Sequence, residues 1–240
     1  QSPWWAVIIA VTVLVYAASR SWKLSLSVVI SFLLIGYFGM WDDTMRTLSI
    51  ITVCTLVSIL LGIPIGIMMA RSDRTQAVVT PILDIMQTMP AFVYLIPVVM
   101  LLGIGKIPGV IAVVIYAIPP VIRLTNLGIR LVDKEVLEAA TAYGANPMQR
   151  LFNVQLPLAS PTIMAGINQT IMMALAMVVI ASMIGVKGLG QPVLKSITNQ
   201  YFTLGLLNGL AIVALAIIFD RVSQAYAKRT QRHMQGNTHD

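Results

Sequence analysis

Long uninterrupted apolar runs constrain this chain more than any other feature. Trp4 to Ala18, Leu24 to Trp41, Thr47 to Ala70, Met86 to Leu102, Ile107 to Ile122, Ile163 to Val186 and Leu204 to Phe219 each approach or exceed the length that crosses a hydrocarbon layer about 30 Å thick. Their continuity excludes barrel strands, which alternate. With 58% hydrophobic and only 10% charged residues among 240, the chain carries too much apolar surface for a soluble fold. The expectation is an all-α integral membrane protein of about seven transmembrane helices. The chain opens with Gln1 rather than Met, so an upstream segment is expected. Trp4 to Ala18 lacks the basic flank and small-residue cleavage pattern of a signal peptide.

Orientation follows from the Lys and Arg residues. If the polar stretch after Asp133 is cytoplasmic, alternating the spans places Arg20, Lys23, Arg71, Arg74, Arg123, Arg130, Lys134, Arg150, Arg221, Lys228, Arg229 and Arg232 inside. Only Arg46, Lys106, Lys187 and Lys195 are left outside. The opposite topology inverts that bias, so the N-terminus is expected outside and the C-terminal tail in the cytoplasm. The net charge of +7 then reflects topology and attraction to anionic membrane lipid, and nucleic-acid binding is not expected.

Several chemistries are missing. Cys54 is the single cysteine, mid-span, so no disulfide or Cys-based metal site forms within one chain; it is expected in the core. His233 and His239 fall in a polar tail expected to fray, which disfavours a catalytic or ligand role. "GIGK" at 103–106 lacks the spacing and preceding strand of a phosphate loop. Carboxylates avoid the span centres: Asp42 and Asp43 at an outer boundary, Asp73 and Asp84 inside, Asp133, Glu135 and Glu138 in the polar stretch, Asp220 at an inner boundary. No proton or sodium relay of the kind an ion-driven carrier buries is visible.

The polar stretch, residues 133–160, reads as two short helices. Asp133 caps a helix from Lys134 whose Val136, Leu137, Ala140 and Tyr143 occupy neighbouring faces, and Gly144 stops it. Asn146 and Pro147 are a cap and first-turn pair for a second helix, which runs through Met148, Leu151, Phe152 and Gln155 to a break at Pro157 and Pro161. Physics alone leaves two readings open: a knob received by a partner, or a loop packed on its own membrane domain.

Glu138-Ala139-Ala140, then Gly144 after three residues, then Val154-Gln155-Leu156-Pro157 after nine more, resemble the EAA signature, EAA-x3-G-x9-I-x-LP, of permease subunits of ATP-binding-cassette importers. Val154 stands where isoleucine is usual. "PILDIMQTMPAFVYLIPVVMLLGIG" (81–105), "PTIMAGINQTIMMALAMVVIASMIG" (161–185) and "GLGQPVL" (188–194) are similar to the glycine betaine and proline betaine uptake permeases within that family. The similarity covers most of the chain from about Thr44. It implies a type I (MetI-like) permease fold, with peripheral spans over 1–43, a core over 44–220 and a cytoplasmic tail over 221–240.

The resemblance also implies a mechanism. Two permease copies surround a pore, two cytoplasmic ATPase subunits grip the inserts, and an extracytoplasmic binding protein delivers solute at a bacterial plasma (inner) membrane. ATP binding closes the ATPase pair and opens the pore outward; hydrolysis resets it. This chain is then not an enzyme and holds no cofactor or metal, since ATP and Mg sit on the partner. Glu138 contacts the ATPase, Ala139 and Ala140 stay small for close approach, Gly144 sets the turn, Asn146 and Pro147 start the second helix, and Leu156 and Pro157 end the signature.

For the translocation path the candidates are Asn168, Met172, Ala176 and Met183 at three-or-four spacing, with Gln87, Thr88 and Tyr94 around Pro90; plain packing is the alternative for that stripe. A quaternary ammonium is held by aromatic cages. Trp4, Trp5, Trp22 and Trp41 sit in or beside the first two spans, where interfacial anchoring is expected, so selectivity is assigned to the binding protein. Outer docking falls to loops around Lys106 and from Lys187 to Tyr201. Choline, carnitine or trimethylamine N-oxide are alternative solutes. An ion-coupled secondary carrier and a non-transporting anchor are the competing classes.

Overall fold

The apolar run bends at Pro90, whereas Pro64, Pro81 and Pro161 lie inside continuous helices. The structure, a computed structural model, describes residues 4–235, with side chains for all but 18–19 and 226–235. The helices are α1 (Trp4–Ser19), α2 (Trp22–Tyr37), α3 (Trp41–Arg71), α4 (Asp73–Thr88), α5 (Leu95–Leu102), α6 (Lys106–Ala117), α7 (Pro119–Arg130), α8 (Lys134–Ala142), α9 (Pro147–Gln149), α10 (Leu156–Ala181), α11 (Gly190–Asn199) and α12 (Phe202–Gln235), and no strand occurs among the described residues. His239 and the side chains of His233, Lys228, Arg229 and Arg232 lie outside the described residues.

All seven apolar runs are helical, but their lengths differ from the expected seven spans. Four helical stretches are long and apolar enough to cross a membrane: Trp41–Arg71, Lys106–Arg130, Pro147–Ile184 and Phe202–Ala225. A fifth exists if the pair Asp73–Thr88 and Ala91–Leu102, bent by 112°, counts as one. The expected straight span from Met86 to Leu102 is therefore a broken one. Pro90 pushes Met89 into extended backbone (φ −69°, ψ 133°) and cannot donate to the Met86 carbonyl. The run from Leu24 stops at Tyr37 because Gly39 takes the left-handed conformation (φ 72°) before α3. Helices α1 and α2, with 16 residues each, are about 24 Å long and stop short of a full hydrocarbon crossing. The last helix does not end near Phe219 but continues through the basic segment to Gln235.

The core forms around α7, which packs between α3 and α10. Small residues set that spacing, as expected where apolar surface alone does not drive helices together. A Cβ at Gly66 would meet Thr125 Cβ at 2.6 Å and the Ile122 carbonyl at 2.8 Å, and one at Gly166 would meet the Pro120 carbonyl at 3.2 Å. The first leaves no room for a side chain, and the second admits a methyl only if its neighbours shift slightly. Helices α1 and α2 pack on one another and on α12, and their Ile8, Val15, Val28, Phe32 and Ile35 join the same apolar cluster as Cys54, which is fully buried, as expected, with its thiol 3.8 Å from the Val110 carbonyl.

Gly66→Val should lower the thermal unfolding midpoint of detergent-purified protein, an overpacking cost of about 1–3 kcal/mol. Gly209→Ala, whose added methyl meets no atom within 4 Å, should leave the midpoint unchanged or raise it. Equal midpoints for wild type and Gly66→Val would remove the close α3–α7 approach.

Candidate functional site

Local hydrogen bonding shapes the insert closely as its sequence anticipates. The Asp133 carboxylate accepts from the Glu135 N–H at 2.9 Å, capping α8. At the other end Gly144 is left-handed (φ 80°); its N–H reaches the Thr141 carbonyl at 2.9 Å, and the Ala145 N–H reaches Ala140 at 3.0 Å, a Schellman closure. Asn146 and Gln149 then form a reciprocal capping box, at 2.8 and 2.9 Å, with Pro147 in the first turn. The second helix, however, does not stop at Pro157. Residues Arg150–Gln155 widen into a π-helical turn that feeds directly into α10. Wider winding relieves the clash of the Pro157 ring with the preceding turn, and Pro161 lies inside the continuous helix.

This makes the insert a rigid extension of the core. Leu151 is buried against Ile129 of α7 and Ala159 and Ile163 of α10, and Arg150 donates to the Thr141 hydroxyl at 3.0 Å, tying α8 down. Glu138 is exposed and enters no ion pair among the described residues; it opens on a cleft of about 390 Å³ with Lys134, Thr141 and Arg150. Ala139 is exposed beside it, Ala140 is half-buried, Leu156 packs on the Leu151 cluster and Pro157 is exposed. Tyr143, 94% exposed, projects with Met148 and Phe152 from the same insert.

Sequence reading missed the insert's root. Arg130, the last residue of α7, donates to the Met69 carbonyl at 2.9 Å, to Asn126 Oδ1 at 3.1 Å and to the Asp73 carboxylate at 2.7 Å. One guanidinium therefore joins α7, the end of α3 and the start of α4, immediately before α8. Arg123 pairs with Asp84 one step along the same α7–α4 seam. These residues had been counted only as topology charges, and their partners lie far away in sequence.

The expected translocation residues separate into two groups. Met172 and Ala176 are exposed along α10 and Met183 in the 3-10 turn just after it, whereas Asn168 donates to the Asp220 carboxylate of α12 at 2.9 Å and serves that helix contact. Asp220, expected at a boundary, is thus turned back between helices, and Gln224 also donates to it. Tyr94 is buried: its hydroxyl donates to the Met86 carbonyl and its ring meets Tyr116 edge-on at 5.6 Å. It pins the bend and faces no open surface, while Gln87 and Thr88 are exposed just before Pro90.

At the end of the core opposite the insert, three cations converge. Arg46, Lys106 and Lys187 line a recess of about 330 Å³ with Ile50 and Gly185. Arg46 pairs with Asp43 at 3.4 Å, but neither lysine is in an ion pair among the described residues. The loops carrying them are stitched by the Gly105 N–H on the Ile184 carbonyl at 3.0 Å and by the Leu189 N–H on Thr47 Oγ1 at 2.9 Å.

A helical membrane core with a capped, exposed insert at one end and a cationic recess at the other defines a membrane-spanning transport permease. The chain belongs to the family of binding-protein-dependent transport system inner membrane components, which matches residues 62–232. It is 50% identical over 223 residues to the glycine betaine/proline betaine transport system permease protein ProW of Escherichia coli (strain K12), covering 91% of this chain and 63% of that protein. It is 48% identical over 231 residues to the glycine betaine/carnitine transport permease protein GbuB of Listeria monocytogenes serotype 1/2a (strain 10403S), covering 95% of this chain and 82% of that one. The chain thus spans under two-thirds of the length of the Escherichia coli relative. In structure it is similar to an inward-facing form of the MetNI methionine ABC transporter, with a TM-score of 0.71 at 19% identity over 80% of this chain and 95% of that chain, which establishes the shared fold.

Gly144→Val should cost the insert about 1–2 kcal/mol of left-handed strain, and Asn146→Ala about 1 kcal/mol of capping. Limited proteolysis should cut both variants between residues 140 and 150 faster than wild type, with the global unfolding midpoint nearly unchanged. Unaltered cleavage would show that the caps do not hold the insert.

Proposed function

We propose that this chain is the translocation subunit of an ATP-driven importer for glycine betaine, proline betaine or a similar quaternary ammonium osmolyte, with choline, carnitine and trimethylamine N-oxide as alternatives of that class. The observation that carries the proposal is the exposed insert with its EAA signature, rooted by Arg130 across three core helices. A lever on a rigid root transmits displacement of its tip to the spans. The pump's fuel is burned on a separate ATPase pair, which holds ATP and Mg; this chain carries out no hydrolysis. Two permease copies form the pore, with Met172 and Ala176 of α10 and Met183 of the turn after it left open for the path or the second copy.

The insert end faces the cytoplasm of a bacterial inner membrane, so the N-terminus is outside and the C-terminus inside. The recess of Arg46, Lys106 and Lys187 then faces outward, where it suits acidic groups of the solute-binding protein. Selectivity rests chiefly on that receptor.

Glu138→Lys should reduce ATP-driven uptake on the order of tenfold or more by placing a like charge in the Lys134 and Arg150 cleft. Co-purification with the ATPase should fall in parallel while membrane insertion persists; full uptake and full co-purification would sink the coupling assignment. An uncoupler applied with ATP held constant should leave uptake intact. Loss of uptake under those conditions would instead favour the ion-coupled carrier.

A further inference from the structure

Between α1, α2 and the first turn of α3 is a recess of about 450 Å³ whose walls include Trp4, Phe32, Tyr37 and Trp41, with Ile8 and Gly36 between them. Four aromatic rings from three separate helices converge there. Phe32 is buried at 2% exposure and meets Trp41 edge-on, with centroids 6.1 Å apart at 64°. Tyr37 is braced edge-on by Phe38 at 5.5 Å. Gly36 keeps one wall open, since a Cβ there would stand 3.9 Å from the Trp41 ring.

Trp22, 74% exposed, behaves as an interfacial anchor should, but the inward pairing of Trp41 with Phe32 does not. Among the described residues no Lys, Arg or His lines the recess. Asp42 and Asp43 follow Trp41 in the first turn of α3, and Asp42 is exposed with no ion pair among the described residues. Ring faces carry negative potential, and the adjacent Asp42 carboxylate adds to it, while Asp43 is offset by Arg46. Charge complementarity therefore favours a weakly hydrated cation over a neutral apolar group. We infer that this recess binds the trimethylammonium group of a small free solute, at a site separate from the translocation path. The choice of solute over other cations rests on the substrate class proposed above.

The test uses purified protein in nanodiscs of phosphatidylethanolamine and phosphatidylglycerol, which contain no choline headgroup. Saturation-transfer difference NMR compares choline with its neutral isostere 3,3-dimethyl-1-butanol. Choline should bind saturably, with the isostere weaker by about tenfold. Trp41→Leu and Tyr37→Leu should each weaken choline by roughly five- to tenfold, and Trp41→Phe should retain most of the binding. Tyr37 is 85% exposed, so its variant tests the ring without a folding defect. Equal affinity for the isostere, or wild-type affinity in both leucine variants, overturns the inference. So does a protein that ignores choline yet retains added phosphatidylcholine through purification, which would assign the recess to a lipid headgroup. ATP-driven uptake by the same preparation, reconstituted with its partners, is measured in parallel. Uptake without choline binding at the recess overturns this inference alone. Binding without uptake of any quaternary ammonium supports it and counts against the proposed substrate class.

Discussion

Every backbone N–H and C=O carried into a hydrocarbon layer must find a partner inside the protein, and the breaks in this chain are arranged around that requirement. The bend at Pro90 is the plainest case. Proline deprives the Met86 carbonyl of its helical donor, and the Tyr94 hydroxyl, one turn further on, takes that place. At the end of α3 the Met69 carbonyl, which has lost its helical continuation, accepts from Arg130. Thr47 donates to the Asp43 carbonyl at 2.8 Å and accepts from the Leu189 N–H, so one hydroxyl serves both a helix and a crossing loop. Near Pro157 the helix widens instead of stopping. Each departure from regular helix is therefore tied to a side chain that compensates it, or to a change of winding.

That arrangement has a mechanical consequence. Helix α7 sits against α3 and α10 at close glycine contacts, so sliding it opens both seams. Arg130 fastens its end to α3 and α4, and the chain enters α8 four residues later, at Lys134. On the return side, α9 and the π turn run into α10 without a joint. The insert is thus attached at both ends to helices that already pack on each other. Displacing it moves a body, not a loop, which is what a rigid-body switch requires. The Arg130–Asp73 pair is largely exposed and contributes little to stability, so its role is geometric.

Much of this was legible in the sequence, and the rest was not for a physical reason. The apolar runs, the Asp133 and Asn146 caps and the left-handed Gly144 are all decided within a few residues, where spacing suffices. Span lengths were less legible: α2 is cut short of Trp41 by the turn at Gly39, whose φ is positive, and local hydropathy does not register such a turn, whereas α1 ends at Ser19, one residue past its apolar run. Contacts between distant residues were not legible at all. Arg130 meets Asp73 across 57 positions, and Arg46, Lys106 and Lys187 come from three different loops or helix ends. Asn168 looked like one member of a polar stripe, but its amide is taken by Asp220, a choice made by the packing of α12. The aromatic recess likewise exists only because three helices meet.

The exposed face of the insert completes the physical picture. Tyr143, Met148 and Phe152 project from the insert at 94%, 58% and 56% exposure, the last two in the first turns of the Pro147–Ile184 stretch. Lipid does not explain them, because the carboxylates and capping groups of the same segment need water. Nor does the chain cover them, since α8 turns Leu137 and Ala140 inward, and Leu151 of the following turn is buried, while these three are left out. Apolar area held in water forgoes stabilisation of roughly 25 cal/mol per Å², and here it is presented on a scaffold fixed by two caps and an arginine root. A loop that merely packed on its own domain would bury these side chains. Held by those caps, the three side chains and Glu138, which enters no ion pair among the described residues, give the insert an exposed apolar face with a polar edge, the anatomy that the coupling role proposed above needs.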